Sequence, residues 1–435
     1  MLRRRFLTRA GAGALALAPA SALARSLAEA ESMRTHVARA VSRSVSPFAG
    51  TPDDEPFWAE VREAFDLDPA VLNLDNGWTN PTPRAAMDVV VAEGRRLEAL
   101  PAERLVAIWE EVSNTHVRSA LAETLGVPGS EIALVRNATE ALDTVLLGVP
   151  LRAGDEVVCS AHDYYAMLDA LDQRRERDGV VLRMVHPPVP APSMDSLEAL
   201  YRDALTPRTR LVLLTNPSNL TGQHLPVRRI AEAAHAVGAE VVVDGAQSLG
   251  LEEGSIADLG CDYYGASAHK WLGTPVGLGV LWMRPEHAVK VWPLIPPGAS
   301  ATGMGRFEWI GTGPEYVSAG ALPALELHRA LGPARKAARL GYLGAHWRAL
   351  AAGAFPGARF YTVPEAGAPG ALSVMELPGR DSAELQTALR RDHGILVQAM
   401  NGARAPEIAG LRVTPNVYHT PTELERFVAA LEEVG

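Results

Sequence analysis

Between residues 130 and 285 of this 435-residue chain, short Val/Leu-rich runs alternate with helical patterns, and this alternation constrains the fold most. The runs are EIALV (131–135), EVVCSA (156–161), RLVLLT (210–215), EVVVDG (240–245) and LGVLWM (278–283). Between them lie TEALDTVLLG (139–148), YAMLDALDQRRERDG (165–179) and PVRRIAEAAHAVGA (226–239). Runs without polar alternation are strands buried on both faces. Strand-helix-strand repetition then predicts an α/β fold: a mostly parallel central sheet with helices on both faces. Residues 320–435 read differently. A long Ala/Leu/Arg helix over about 320–352 precedes weaker strands at 360–363, 371–377, 395–398 and 411–416, and a final helix covers 421–434. This predicts a smaller α+β domain. The expected division is 25–84 contributing to the small domain, 85–315 as the large domain and 316–435 as the small C-terminal domain.

The N-terminus is a separate case. RRRFLTRAGAGALALAPASALA opens on Arg3, Arg4 and Arg5 before Phe6 and Leu7, continues as an Ala/Leu run and closes on Ala-Leu-Ala at 22–24. These are the charged, apolar and small-residue regions of an export signal over 1–24. The paired arginines predict the twin-arginine route, with the translocase as a partner during export and the periplasm as the destination. The apolar run is too short to span a bilayer, so no stable membrane anchoring is expected. The net charge of −10 and the lack of a basic block disfavour a nucleic-acid partner. Two cysteines and the absence of an HExxH or HxxxH pair give no disulfide framework and no metal site.

In an open α/β sheet, ligands bind beyond the carboxyl ends of the strands. Those ends carry RNATEAL (136–142), HDYYAM (162–167), NPSNLTG (216–222), DGAQS (244–248) and SAHK (267–270). Taken singly, Asp244 is a turn or cap residue in most proteins, Thr139 a plain N-cap, Tyr164 core packing and Lys270 a solvated charge. Together they suit pyridoxal 5'-phosphate. Lys270 would form a Schiff base with the aldehyde, since a buried lysine loses its proton readily. Asp244 would keep the pyridine nitrogen protonated, so that the ring stabilises a carbanion. The helix opening near Ala138 and Thr139 would take the phosphate on its free N–H groups, joined by Ser267 and His269. Gln247 and Asn219 would bond the ring hydroxyl, and Tyr164 would stack on the ring.

These motifs, with FEWIGTG at 307–313, resemble in order and spacing the fold-type I, class V aminotransferases of the isopenicillin N epimerase and cysteine desulfurase superfamily. The likeness spans about 65–430. It implies the fold-type I transferase architecture and the same roles for Lys270, Asp244, Gln247, Asn219, Ala138, Thr139, Ser267, His269 and Tyr164. It also implies that Gly311 and Thr312 reach the neighbouring subunit's phosphate in a homodimer. Arg412 matches the arginine that grips a substrate carboxylate, and Asn76, Gly77 and Trp78 match a segment at the site entrance. Desulfurases of this superfamily use a mobile cysteine before that arginine, and residues 397–412 contain none. Tyr164 in place of a stacking histidine resembles the epimerase-like branch. Within it, the export signal is similar to that of the periplasmic enzymes that tailor the pyoverdine siderophore. The implied activity is aminotransferase-like chemistry on an amino-acid-derived substrate. Epimerisation and β-elimination are alternatives at the same site, and a non-catalytic sensor is a further one.

Overall fold

The computed structural model describes residues 24–39 in part, and residues 50–435 except 100, 102–114, 253, 298–301, 315, 363–370 and 402–403. The twin-arginine pattern and nearly all of the expected leader therefore lie outside the described residues.

A central sheet of seven strands takes the order β2-β8-β7-β6-β5-β3-β4. Its members are β2 (Ile132–Val135), β3 (Glu156–Ser160), β4 (Val181–Val185), β5 (Thr209–Thr215), β6 (Glu240–Asp244), β7 (Tyr263–Ser267) and β8 (Gly279–Met283). A preceding short strand, β1 (Leu72–Asn73), lies elsewhere. Only β8 runs antiparallel to its two neighbours, β2 and β7. The pleat sends alternate residues to opposite faces. Val158, Val212, Val241, Val243 and Val280 enter one apolar cluster, while Val157, Leu211, Leu213, Val242 and Leu281 enter another. The two clusters are why the strands read as unbroken apolar runs.

Helices cover both faces: α1 (Glu55–Arg62), α2 (Arg84–Leu97), α3 (Arg118–Leu125), α4 (Ala138–Gly148), α5 (Tyr165–Asp178), α6 (Met194–Ala204) and α7 (Val227–Ala236). α4 and α5 pack on one face, and α2, α3 and α7 on the other. The expected long helix over 320–352 is instead two, α8 (Ala321–Leu331) and α9 (Pro333–Ala354). Gly332, at φ 84°, breaks the helix ahead of Pro333. One strand of this sheet, β4, escaped the sequence reading, and another, β7, is legible only from the motif at its end. β4 is an edge strand, exposed or half-covered until Val185, and β7 (YYGAS) is aromatic and small rather than aliphatic.

The second body is an antiparallel sheet, β12-β13-β10-β9, formed by β9 (Arg359–Phe360), β10 (Ser373–Glu376), β12 (Gln398–Asn401) and β13 (Ala409–Val413). α9, α10 (Ser382–His393) and α11 (Pro421–Val434) enclose its core around Trp347, Leu411, Val413 and Phe427. The run 395–398 splits between β11 (Ile395–Leu396), which pairs with β1, and the start of β12. Leu72 and Leu74 enter this core, whereas Phe57, Trp58 and Val61 of α1 pack in a separate cluster with Leu251 and Trp271. The stretch after the expected cleavage point is helical where described, and it docks through Arg25–Glu93 and Arg34–Glu326 ion pairs.

Candidate active site

The polar ends of β2, β3, β5, β6 and β7 gather at one edge of the sheet, and α4 begins there. Asn137 caps α4, its side chain accepting from Glu140 N at 2.9 Å. The N–H of Ala138 donates to Ser267 Oγ at 2.9 Å, tying the helix start to the end of β7. Two glycines permit this approach. A Cβ at Gly279 would stand 2.7 Å from Asn137 Cα, and one at Gly265 would stand 2.8 Å from Leu142 Cγ. Thr139 follows, half-buried, in the first turn. At this helix N-terminus the Ala138 and Glu140 N–H groups are taken by Ser267 and Asn137, which leaves the N–H of Thr139, the helix dipole and the buried Ser267 hydroxyl to meet an anion.

Lys270 lies three residues past the end of β7. Its amine makes no hydrogen bond or ion pair among the described residues. Burial pushes its pKa down to about 8; Asp244 and Asp75 pull upward and Arg412 pushes further down. Asp244, 2 % exposed, ends β6, accepts from Ala246 N at 3.0 Å, and has its carboxyl raised by burial against the pull of Lys270. Tyr164 precedes α5, half-buried, with its ring 4.5 Å from that of Tyr165. Burial, then Tyr165, raises its hydroxyl.

Several buried polar atoms lack partners at this edge: Asn219 Oδ1, His269 Nδ1 and Arg412 Nε. Such orphans are costly unless a ligand meets them. With the free amine of Lys270, the acid Asp244 and the open start of α4, they fit pyridoxal phosphate. Gln247 is more committed than expected: its Nε2 donates to Gly77 O at 2.8 Å and its Oε1 accepts from Trp271 Nε1 at 2.9 Å. One N–H of its amide remains for a ring oxygen.

Arg412 reaches the site from β13. Its Nη2 pairs with Asp75 Oδ1 at 2.8 Å, and Nη1 donates to Asn219 O at 3.3 Å. The guanidinium lies over Gly77, where a Cβ would stand 3.1 Å from Cζ. Asn76 is not at the entrance but fully buried, bonded to Thr414 O at 2.7 Å and Tyr418 Oη at 2.7 Å. Trp78 is 67 % exposed and is free to meet a substrate. Gly311 and Thr312 are exposed, and a Cβ at Gly311 would meet nothing within 4 Å among the described residues.

Sequence reasoning missed the supports. Asn80 Nδ2 donates to Lys270 O at 2.7 Å, and Asn416 Nδ2 bonds Asn80 Oδ1 at 2.5 Å. Asp163, buried and pushed up to about 7, accepts from Ser160 N, Thr215 N and Thr215 Oγ1, binding the end of β3 to that of β5. Its position beside Tyr164 in HDYY was the available signal. Asn80 and Asn416 carry none, because their role exists only once distant segments meet.

The aminotransferase class-V family model matches residues 72–408. The chain is 32 % identical over 404 residues to isopenicillin N epimerase of Amycolatopsis lactamdurans, covering 87 % of this chain and 98 % of that one. It is 31 % identical to a probable cysteine desulfurase of Pseudomonas aeruginosa, covering 82 % and 92 %. Among solved structures, a lysine-to-alanine mutant of C-DES, with glycine covalently linked to its PLP cofactor, superposes with a TM-score of 0.75 at 23 % identity, covering 86 % and 99 %.

Proposed function

Since the chain belongs to the class-V aminotransferase family of pyridoxal-phosphate enzymes, we propose that it labilises the α-hydrogen of an amino-acid-derived substrate, with Lys270 carrying the proton. When bound, the cofactor supplies an electron-withdrawing ring that stabilises negative charge at the carbon beside the substrate amine. The start of α4, Ser267 and His269 hold its phosphate. Asp244 would keep a proton at its ring nitrogen, Asn219 and Gln247 would bond its ring oxygen, and Tyr164 would stack on its ring. Arg412, braced by Asp75, offers its open Nε to a substrate carboxylate.

The observation that carries this reading is the Lys270 amine, unpaired and pushed down to about 8. An amine near the ambient pH can both take and return a proton. The test is solvent deuterium at the α-carbon of amino acids and peptides incubated with the loaded enzyme. Label should appear with the natural enzyme and be lost in Lys270→Ala; label that persists in the variant rejects the role.

Aminotransferase-like chemistry, with the amino group passing to the cofactor, is the first reading. Epimerisation is the second, supported by relatives named isopenicillin N epimerase whose length the chain spans almost fully. Accumulated pyridoxamine phosphate favours the first, and inverted product with its amine retained favours the second. A cysteine-persulfide route is not proposed. Cys159 and Cys261 are 0 % and 1 % exposed, and burial raises both thiols. The reading extends to a homodimer, with Gly311 and Thr312 completing the partner's phosphate site, and to twin-arginine export into the periplasm.

A further inference from the structure

One buried cation plays no part in the chemistry above. Lys336, 5 % exposed, sits in the first turn of α9 with no carboxylate bonded to it among the described residues. Its ammonium donates to the main-chain carbonyl of Trp271 and lies 3.5 Å from Nδ1 of His328, near the end of α8. His328 is the titratable group facing it; burial and the Lys336 charge push its pKa down to about 3, so the imidazole is neutral and Nδ1 can accept. Burial pushes Lys336 itself down to about 7. Burying an ammonium among neutral partners costs stability that an unbranched apolar side chain of similar length would not. The fold alone therefore gives no reason for a lysine here.

The carbonyl it holds supplies one. Trp271 follows Lys270 directly. The carbonyl of Lys270 accepts from Asn80 Nδ2 at 2.7 Å and Gly273 N at 3.0 Å, and the Trp271 indole donates to Gln247 Oε1 at 2.9 Å. Lys336 thus grips, from a helix of the C-terminal half, the carbonyl next in the chain to the one that Asn80 supports. We infer that Lys336 is a positioning residue for Lys270: it fixes the turn from which Lys270 projects and, through the Trp271 ring, the amide of Gln247. This rests on Lys270 being the cofactor lysine.

The experiment compares Lys336→Met and Lys336→Gln with the natural full-length chain. It reads the thermal midpoint, the pH midpoint of the visible absorbance of the loaded enzyme, and the rate at which the stripped chain recaptures pyridoxal phosphate. The expected result is a thermal midpoint equal to or above the natural one for Lys336→Met, with recapture slowed about 10-fold or more and the absorbance midpoint displaced. Natural recapture and an unmoved midpoint in both variants overturn the inference. So does failure of both variants to fold, which would assign Lys336 to the fold alone. Lys270→Ala separates the two levels. If it still captures the cofactor as a linked species, the Lys270 assignment fails; if it does not, while Lys336→Met behaves as the natural chain, only the positioning role fails.

Discussion

At the scale of single residues, the site turns on how burial and charge divide two protons between Lys270 and Asp244. Desolvation lowers the amine and raises the acid, and each opposes the shift of the other. The neutral amine is the form of Lys270 that would be able to take up an aldehyde. Capture of pyridoxal phosphate by the stripped chain should therefore accelerate as pH rises through about 8 and level off above it; stopped-flow absorbance reads this directly, and a rate flat from pH 6 to 9 would exclude it. The cysteines provide a contrasting case. Cys159→Ala and Cys261→Ala should retain turnover within about 3-fold, since a buried, protonated thiol is inert; loss of activity with the fold intact would restore a cysteine mechanism.

At the scale of elements, the decisive contact is that of α4 with β7 and β8. Gly279→Ala would drive a Cβ into the Asn137 backbone at 2.7 Å, where no rotamer change relieves it. We expect a loss of about 1–3 kcal/mol in stability and weaker cofactor retention, measured by denaturation and by dialysis against phosphate. Parts of this were legible in the sequence and parts were not. Strands with both faces buried stand out as Val/Leu runs, and RNATEAL shows a helix start, although the cap is Asn137 and not Thr139, which lies within the first turn. The motifs at the strand ends place Lys270, Asp244 and Tyr164 at one edge because the topology rule does so for any such sheet. What stayed hidden depends on contacts between distant segments. β7 shows only through the SAHK motif at its end, because Gly265, needed for α4 to approach, weakens its apolar signal. The brace of Asn80, Asn416 and Lys336 behind Lys270 joins three stretches with no periodicity in common. Gln247, read as a free ring ligand, is half spent on holding Gly77 and Trp271.

At the scale of the whole molecule, the two buried lysines make stability depend on pH in a definite direction. Lys270 and Lys336 have folded-state pKa values of about 8 and about 7, below the ordinary 10.5. Above pH 7 the unfolded chain thus holds more protons than the fold, and stability increases with pH. Cys159 and Cys261, raised by burial, act the other way once an unfolded thiol begins to ionise, at about pH 8.5. The thermal midpoint of the stripped chain should rise between pH 7 and about 8.5, and rise less in Lys336→Met; an equal rise in both would remove Lys336 from this balance. Export belongs to the same scale. Replacing Arg4 and Arg5 with lysine should leave folded, loaded protein in the cytoplasm, and unchanged periplasmic recovery would reject the twin-arginine route. The central claim, that Lys270 carries the cofactor, is tested most directly by borohydride reduction of the loaded protein followed by peptide mass analysis. The expected result is a single phosphopyridoxyl adduct on Lys270; an adduct on Lys336, or none on the peptide that contains Lys270, would contradict it.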